Sequence, residues 1–463
     1  MERKGRRKDN PRRRSSLLEQ VNRNAAGIDC GSAEHYVAVP VDRGPEPVRH
    51  FKTFTADLHR LADWLVSCHI ETVAMESTGV YWIPVYEILV ARGIEVLLVN
   101  ARHLKNTPGR KSDVTDCEWL RELHSVGLLR GSFRPDEEIV TLRSYLRHRE
   151  TLVQNAATAI TRMQKALVQM NLQLHIVIRD IMGMTGLAII RDIVNGQTDP
   201  ERLAKHRDAH CKASETDIAG ALTGHYRPEH LFALKQNLEI FDSSQRQIED
   251  CDTQIQACLT DLAEKMAPAA APLPSRRSRR NRRSNEPRFE VRPMLHRLAN
   301  TDLSELDGIG PHTALRLISE IGRDMSRWKT DRHFTSWLTL APNNKISGGR
   351  LLSSKTQPSA NRAAMILRMS AQSLARTQTA LGAFYRRLAF RIGKAKAITA
   401  TARKLAILVY HVLKGDFVYK DPGADVYDAR HRDSAIRRLR QRAAALGLSL
   451  VNGQTGEILD GVS

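Results

Sequence analysis

The sequence predicts an α/β domain at the N-terminal end, long helices after it, and a second, mostly helical unit. Three observations predict this. Between residues 24 and 130, short apolar runs ending in an acid or a turn alternate with stretches of helical spacing. Between 137 and 265, apolar residues recur at three- to four-residue steps or their multiples, and few glycines interrupt them. After a Pro- and Arg-rich break, residues 298–415 read as a second helical unit.

The elements follow in order. Ala25 to Asp29 is a short apolar run closed by an acid, Gly31 and Ser32 make a turn, and His35 to Val41 is a second strand. Leu58 to Ser67 has helical spacing, and Thr72 to Met75 is a buried strand ending at Glu76. Ile83 to Ala91 is a helix, and Ile94 to Val99 is a third buried strand. Ser112 to Val126 is an amphipathic helix with Val114, Leu120 and Leu123 on its apolar side. Two stripes then suggest a helical hairpin or coiled coil: Leu142, Leu146, Leu152, Ile160, Met163, Leu167 and Met170, then Leu238, Phe241, Ile248, Ile255, Leu259 and Leu262. Both stripes read as packing seams.

Charge narrows the partner. The 463 residues hold 71 Lys and Arg against 51 Asp and Glu, a net charge of +20. Such an excess suits a polyanion, because each phosphate neutralised by Lys or Arg releases counterions. A membrane surface is the rival, but the chain has no run of about 18 apolar residues to span a bilayer. The N-terminus, basic and then polar, does not read as a signal peptide. The six cysteines include no CxxC and read as reduced thiols of a cytoplasmic protein. His206, His210 and Cys211 are metal-binding types, but with no second cluster they read as surface helix residues.

The organisation expected is a basic arm over 1–20, an α/β domain over 21–135, a helical coiled-coil region over 136–266, an Arg-rich linker over 267–297, a second domain over 298–420 and a basic tail over 421–463. The linker carries Arg276, Arg277, Arg279, Arg280, Arg282 and Arg283, where a nucleic-acid contact competes with a solvated spacer.

Four acids carry the chemistry. Asp29 and Glu76 each close a strand, and Asp113 and Asp116 stand three apart at a helix start, so both face the same way. If the two strands are neighbours, Asp29 and Glu76 lie at one end of the sheet, and a helix packed there brings in the other pair. Gathered carboxylates repel unless cations sit among them. Hard oxygen donors suit Mg²⁺, and two such ions stabilise both oxygens of a phosphoryl transfer. Taken singly, each acid reads more readily as a structural residue, Asp29 in a turn or Asp113 and Asp116 at a helix start, than as a catalytic one; the ordered set points to chemistry.

The stretches GIDCGSAEH (27–35), AMESTGVYW (74–82) and GRKSDVTDCEWL (109–120) resemble the RuvC-like domain of DEDD transposases. That family is the insertion-sequence group numbered one hundred and ten, described as bridge-RNA-guided recombinases, with Piv-type DNA invertases among its relatives. LDGIGPHTALRLISEIG (306–322) is similar to the family's helix-hairpin-helix element, WLTLAPNNKISGG (337–349) to the segment ending in its Ser-Gly motif, and ARKLAILVYHVLKGDFVY (402–419) to its C-terminal end. The family's Lys-x-Gly-Asn stretch is replaced here by Lys355 to Asn361.

The resemblance implies an RNase H-like (RuvC-like) N-terminal domain whose metal site is Asp29, Glu76, Asp113 and Asp116, binding two Mg²⁺. It implies Ser347 as the nucleophile in a serine-bearing C-terminal domain, a covalent phosphoserine and no ATP. It further implies donor and target DNA, a structured guide RNA, dimers that pair into tetramers, and a bacterial cytoplasmic protein that joins the nucleoid when bound to DNA. The chain itself has no GxxxxGK[ST] loop.

Residue by residue, Gly308-Ile309-Gly310 fits a tight turn whose N–H groups hold a phosphate, or a plain helix-linking turn. Ser347 precedes Gly348 and Gly349, with Ser353 and Ser354 as its nearest competitors. Lys345, Arg350, Lys355, Arg362 and Arg368 are phosphate contacts in principle. Two other classes fit less well: an RNase H-like nuclease or Holliday-junction resolvase that uses water, and a non-catalytic nucleic-acid-binding scaffold.

Overall fold

The structure is a computed structural model, and it describes residues 19–77, 79–100, 113–275, 285–453, 455 and 456; for Asp113 it describes the backbone alone. Most of the basic arm and Arg276, Arg277, Arg279 and Arg280 lie outside the described residues. The chain divides into two compact units, Met1–Arg134 and Pro135–Ser463.

The first unit is built on a mixed sheet. Its strands are β1 (Ala25–Cys30), β2 (Glu34–Ala38) and β3 (Val48–Lys52), then β4 (Thr72–Glu76) and β5 (Glu95–Val99), in the spatial order β3-β2-β1-β4-β5. β1 pairs antiparallel with β2 and parallel with β4, and β4 pairs parallel with β5. Helices α1 (Thr55–Ser67), α2 (Trp82–Ala91) and α3 (Asp113–Ser125) flank it. This is the RNase H-like α/β domain that was expected.

Strands buried on both faces read as unbroken apolar runs, which is why β1 and β4 are legible in the sequence; β5, an edge strand, is legible from its apolar residues Val96 to Val99. Strand alternation sends Ile28 and Cys30, with Val73 and Met75, to one face. There they form a core with Leu58, Leu61 and Leu65 of α1 and Val85 and Leu89 of α2. Gly27, Asp29, Ala74 and Glu76 therefore point to the other face, where α3 lies. β3 was not expected; its sequence, VRHFK, is a half-exposed edge strand with charges on it, as edge strands often are.

In the second unit, α4 (Glu137–Gln169) is followed by the short helices α5 (Leu174–Val177), α6 (Met184–Val194), α7 (Pro200–Ala204) and α8 (Glu215–Leu222), and then by α9 (Pro228–Glu264). Residues 137–265 are thus two long helices with four short ones between them, rather than long helices throughout. α4 and α9 run antiparallel. Lys265 Nζ donates to Glu138 at 2.7 Å, and the buried Arg149 donates to both carboxylate oxygens of Asp252 at 2.6 and 3.4 Å. The two apolar stripes face inward, and at one end Met163 and Leu167 share a core with Leu234, Ile190, Leu203 and Ile218. His206, His210 and Cys211 sit in a turn after α7 rather than on a helix; His206 pairs with Asp192 and His210 with Asp208.

The remainder of the unit comprises α10 (Arg292–Ala299), α11 (Pro311–Ile321), α12 (Asp331–Trp337), the hairpin β6 (Lys345–Ser347) and β7 (Arg350–Ser353), α13 (Arg362–Ser373), α14 (Ala380–Ile392), α15 (Lys394–Lys414) and α16 (Ala424–Ala445). α10 begins inside the segment read as linker, so the linker is shorter than expected. Trp328, Phe334 and Tyr410 fill the centre, and Tyr410 Oη donates to the Trp328 carbonyl at 2.8 Å. Among the described residues, no helix is long and apolar enough to cross a membrane.

Candidate active site

The register of β1 against β4 places two acids side by side. Gly27 is paired with Ala74 and Ile28 with Met75, so Asp29 and Glu76 are the next neighbours at the carboxyl ends of adjacent parallel strands. Matched positions in a parallel pair share a face. Both side chains are half-buried. Ser77 fixes the chain just beyond Glu76, its N–H and Oγ both donating to the Val99 carbonyl at 2.9 and 3.1 Å.

Gly27 decides how close α3 can come. A Cβ built there would stand 2.3 Å from the Cys117 carbonyl oxygen and 2.5 Å from the Arg121 nitrogen, so any side chain would push the helix off the sheet. At the other end His124 Nε2 lies 2.9 Å from Thr72 Oγ1, and Thr72 is the register partner of Ala25. α3 therefore runs antiparallel to β1, with its first turn toward the strands' carboxyl ends. Asp29 lies about 7 Å beyond Gly27 along the strand, a distance α3 covers in four to five residues at about 1.5 Å each. Counting back from the Cys117–Arg121 contact reaches the turn that holds Asp113 and Asp116.

Two thiols report the charge of this corner. Burial pushes Cys117 up to about 12, helped by the carboxylates of Glu118 and Asp29. Cys30 is raised further, first by burial and then by Asp29 and Glu76. Asp29 is thus felt both in β1 and in α3. Asp116 is half-buried in the first turn of α3, and the Asp113 side chain lies outside the described residues. Among the described residues, no three His, Cys, Asp or Glu side chains stand close enough to hold a metal ion. The structure brings Asp29 and Glu76 together as a pair. The donor chemistry of that pair, two carboxylates on one face, suits a hard divalent cation.

In the second unit, Ser347 sits on the β6–β7 hairpin. Gly348 and Gly349 have φ of +53° and +74°, and Ser347 pairs with Arg350 across them. Two consecutive positive φ values in a two-residue loop make the tight primed turn that matches strand twist, and glycine adopts it without strain. Ser347 is exposed at the tip, as are Lys345 and Arg350. Of its competitors, Ser353 Oγ accepts the Lys355 N–H at 3.3 Å and Ser354 is exposed in the following loop. Arg362 is engaged by Glu150 at 3.0 Å, so its charge is shared within the unit. Asn361 ends the divergent Lys355–Asn361 loop as the N-cap of α13, accepting the Ala364 N–H at 3.0 Å.

Gly308-Ile309-Gly310 is a turn leading into α11. Gly308 has φ +81°, and its Cα faces the Ser370 carbonyl, where a Cβ would approach to 3.0 Å. Gly310 is the N-cap of α11 and Pro311 its first residue. The turn lines a cleft of about 450 Å³ together with His312, Arg316, Glu290 and Asp307. Burial, with Arg149 and Arg316, holds His312 down to about 3, so its ring is neutral there at pH 7.

Residues 26–172 match the DEDD transposase model of IS110, and residues 300–386 match the model described as the IS116/IS110/IS902 transposase family; the two together cover just over half of the chain. The chain belongs to the IS110 family of transposases. No curated protein matches it. The first match contains Asp29, Glu76, Asp113 and Asp116, and the second contains Gly308, Gly310 and Ser347.

This transposase carries site residues that sequence reasoning missed. The buried face of α3 is Cys117, Leu120 and His124. Leu120 lies there as the sequence predicts, whereas Val114 is 41 % exposed and Leu123 only half-buried, and Cys117 and His124 take their places. Tyr36 is the register partner of Asp29 across the antiparallel ladder, on the same face. The signal for Gly27 was available: a glycine inside a buried strand marks a close backbone approach.

Proposed function

We propose that this transposase cuts and rejoins DNA by two successive phosphoryl transfers, with Asp29, Glu76, Asp113 and Asp116 as the metal-holding acids and Ser347 as the nucleophile. The observation that carries the reading is the Asp29–Glu76 pair at the carboxyl ends of β1 and β4, under the first turn of α3. Two Mg²⁺ ions held there would supply charge neutralisation on the scissile phosphate. In the first step a bond forms between Ser347 Oγ and phosphorus, the bond to one strand's hydroxyl oxygen breaks, and the serine proton passes to that leaving oxygen. In the second step a hydroxyl of the partner DNA attacks the phosphoserine, and Oγ leaves with its proton restored. The energy of the phosphodiester is conserved, so rejoining needs no ATP.

A serine hydroxyl is a weak nucleophile alone. The reaction therefore requires one phosphate to be presented to both the hairpin and the acids, within one copy of the chain or across two. Dimers that pair into tetramers on donor and target DNA satisfy this, and a structured guide RNA selects the sequence. The net charge of +20 supports a partner rich in phosphate. Lys345, Arg350, Lys355 and the Gly308–Gly310 turn hold the strands, as do Arg276, Arg277, Arg279 and Arg280, and Arg362 once it is released from Glu150.

Strand exchange between two labelled duplexes tests this. Using donor and target from the element's own ends, with its flanking transcript supplied, joined product is expected with chain and Mg²⁺ together and none with chelator. Product formed equally well in chelator would contradict the reading.

A further inference from the structure

From Arg332 to Gly415 the chain carries 15 Lys and Arg and not one Asp or Glu. The C-terminal part of that stretch, with α16 packed on it, lies beyond Arg386, where the second family match ends. There the cations are crowded. Arg387 donates to Tyr427 Oη at 2.6 Å and lies 2.7 Å from His431 Nε2. Lys404 Nζ sits 4.8 Å above the Phe384 ring, and Arg387 approaches the same ring at 5.8 Å. Lys404 is held below the ordinary lysine range by burial and by Arg387; His431 is lowered by burial and then by Arg387, Arg438 and Arg391. Like charges held this close disfavour one another, which an external polyanion relieves.

One residue in this surface is not explained by phosphate binding. Phe390 is 98 % exposed, in the last turn of α14, between the cations Arg387 and Arg391 and just before Lys394 and Lys396. A buried duplex backbone needs no aromatic ring, whereas an unpaired strand offers base faces that stack on one. We propose that the α14–α15 corner with α16 is a binding surface for an unpaired nucleic-acid strand, with a base stacked on Phe390 and phosphates on Arg391, Lys394 and Lys396. Charge complementarity selects this occupant over a second copy of the chain, whose matching surface would be equally cationic.

The test uses the full chain and fluorescence anisotropy with oligothymidine, oligouridine and a duplex of equal length. Phe390→Ala is expected to weaken binding of an unpaired oligomer by about tenfold and leave the duplex unchanged, and Phe390→Trp to restore it. A preference for one oligomer identifies DNA or RNA as the source. Arg391→Gln with Lys396→Gln is expected to flatten the salt dependence of that binding by about 0.7 per lost contact. Unchanged affinity in Phe390→Ala, an equal loss on the duplex, or a shift in oligomeric state by light scattering would each overturn the proposal. Asp29→Asn retains this binding, so its outcome is separate from that of the catalytic reading.

Discussion

Replacing Asp29 with Asn is expected to lower strand cleavage by about 10³-fold or more while leaving the fold intact. A metal clamp on a scissile phosphate is worth several kcal/mol, and each 1.4 kcal/mol is tenfold in rate. Asn keeps the shape and removes one of the charges that hold the ion. Asp29 is half-buried and its neighbour Glu76 carries the same sign, so losing its charge relieves repulsion in the free protein. The melting temperature should therefore hold or rise slightly. Glu76→Gln should behave alike, because the two side chains occupy matched places in the sheet. Single-turnover cleavage of a labelled duplex, beside a thermal melt, measures both effects. Activity within tenfold of the parent in both variants would remove the acids from catalysis, and binding without cleavage by the parent itself would leave a nucleic-acid-binding scaffold.

Ser347→Ala is expected to abolish the covalent protein–DNA adduct and the joined product, a loss on the order of 10⁴-fold or more, as for other nucleophilic serines. The parent should yield a detergent-resistant adduct, and a digest should carry the phosphodeoxynucleotide on the peptide that contains Ser347. The hairpin tip is exposed and its turn is set by Gly348 and Gly349, so the variant should fold as the parent does. If Ser347→Ala still nicks DNA but cannot join it, the enzyme uses water and acts as a nuclease or resolvase. If the adduct persists in Ser347→Ala and moves with Ser353 or Ser354, the nucleophile has been misplaced by a strand length.

Much of the first unit was legible because its central strands are buried on both faces and read as apolar runs. Asp29 and Glu76 stood out because each interrupts such a run at its end. Their adjacency was not legible: it depends on β1 pairing parallel with β4, across a crossover that includes two further strands and α1. On α3 the sequence placed Leu120 correctly but not Val114, because the close approach at Gly27 and the His124–Thr72 hydrogen bond turn Cys117 and His124 inward instead. In the second unit the long stripes were clear, but the short helices between them were hidden, since a helix of one to three turns leaves little periodicity to read. The Ser347 hairpin read as a loop because Ile346, Leu351 and Leu352 are exposed and form no alternating buried face.

The account turns on whether Asp29 and Glu76 grip a divalent ion. Diffraction from crystals of the full chain soaked in Mn²⁺, recorded at the manganese edge, locates such an ion directly. The account predicts an anomalous peak within about 2.2 Å of carboxylate oxygens of both residues, lost in Asp29→Asn. A saturated crystal with no peak between them, or with manganese bound only elsewhere, would contradict it.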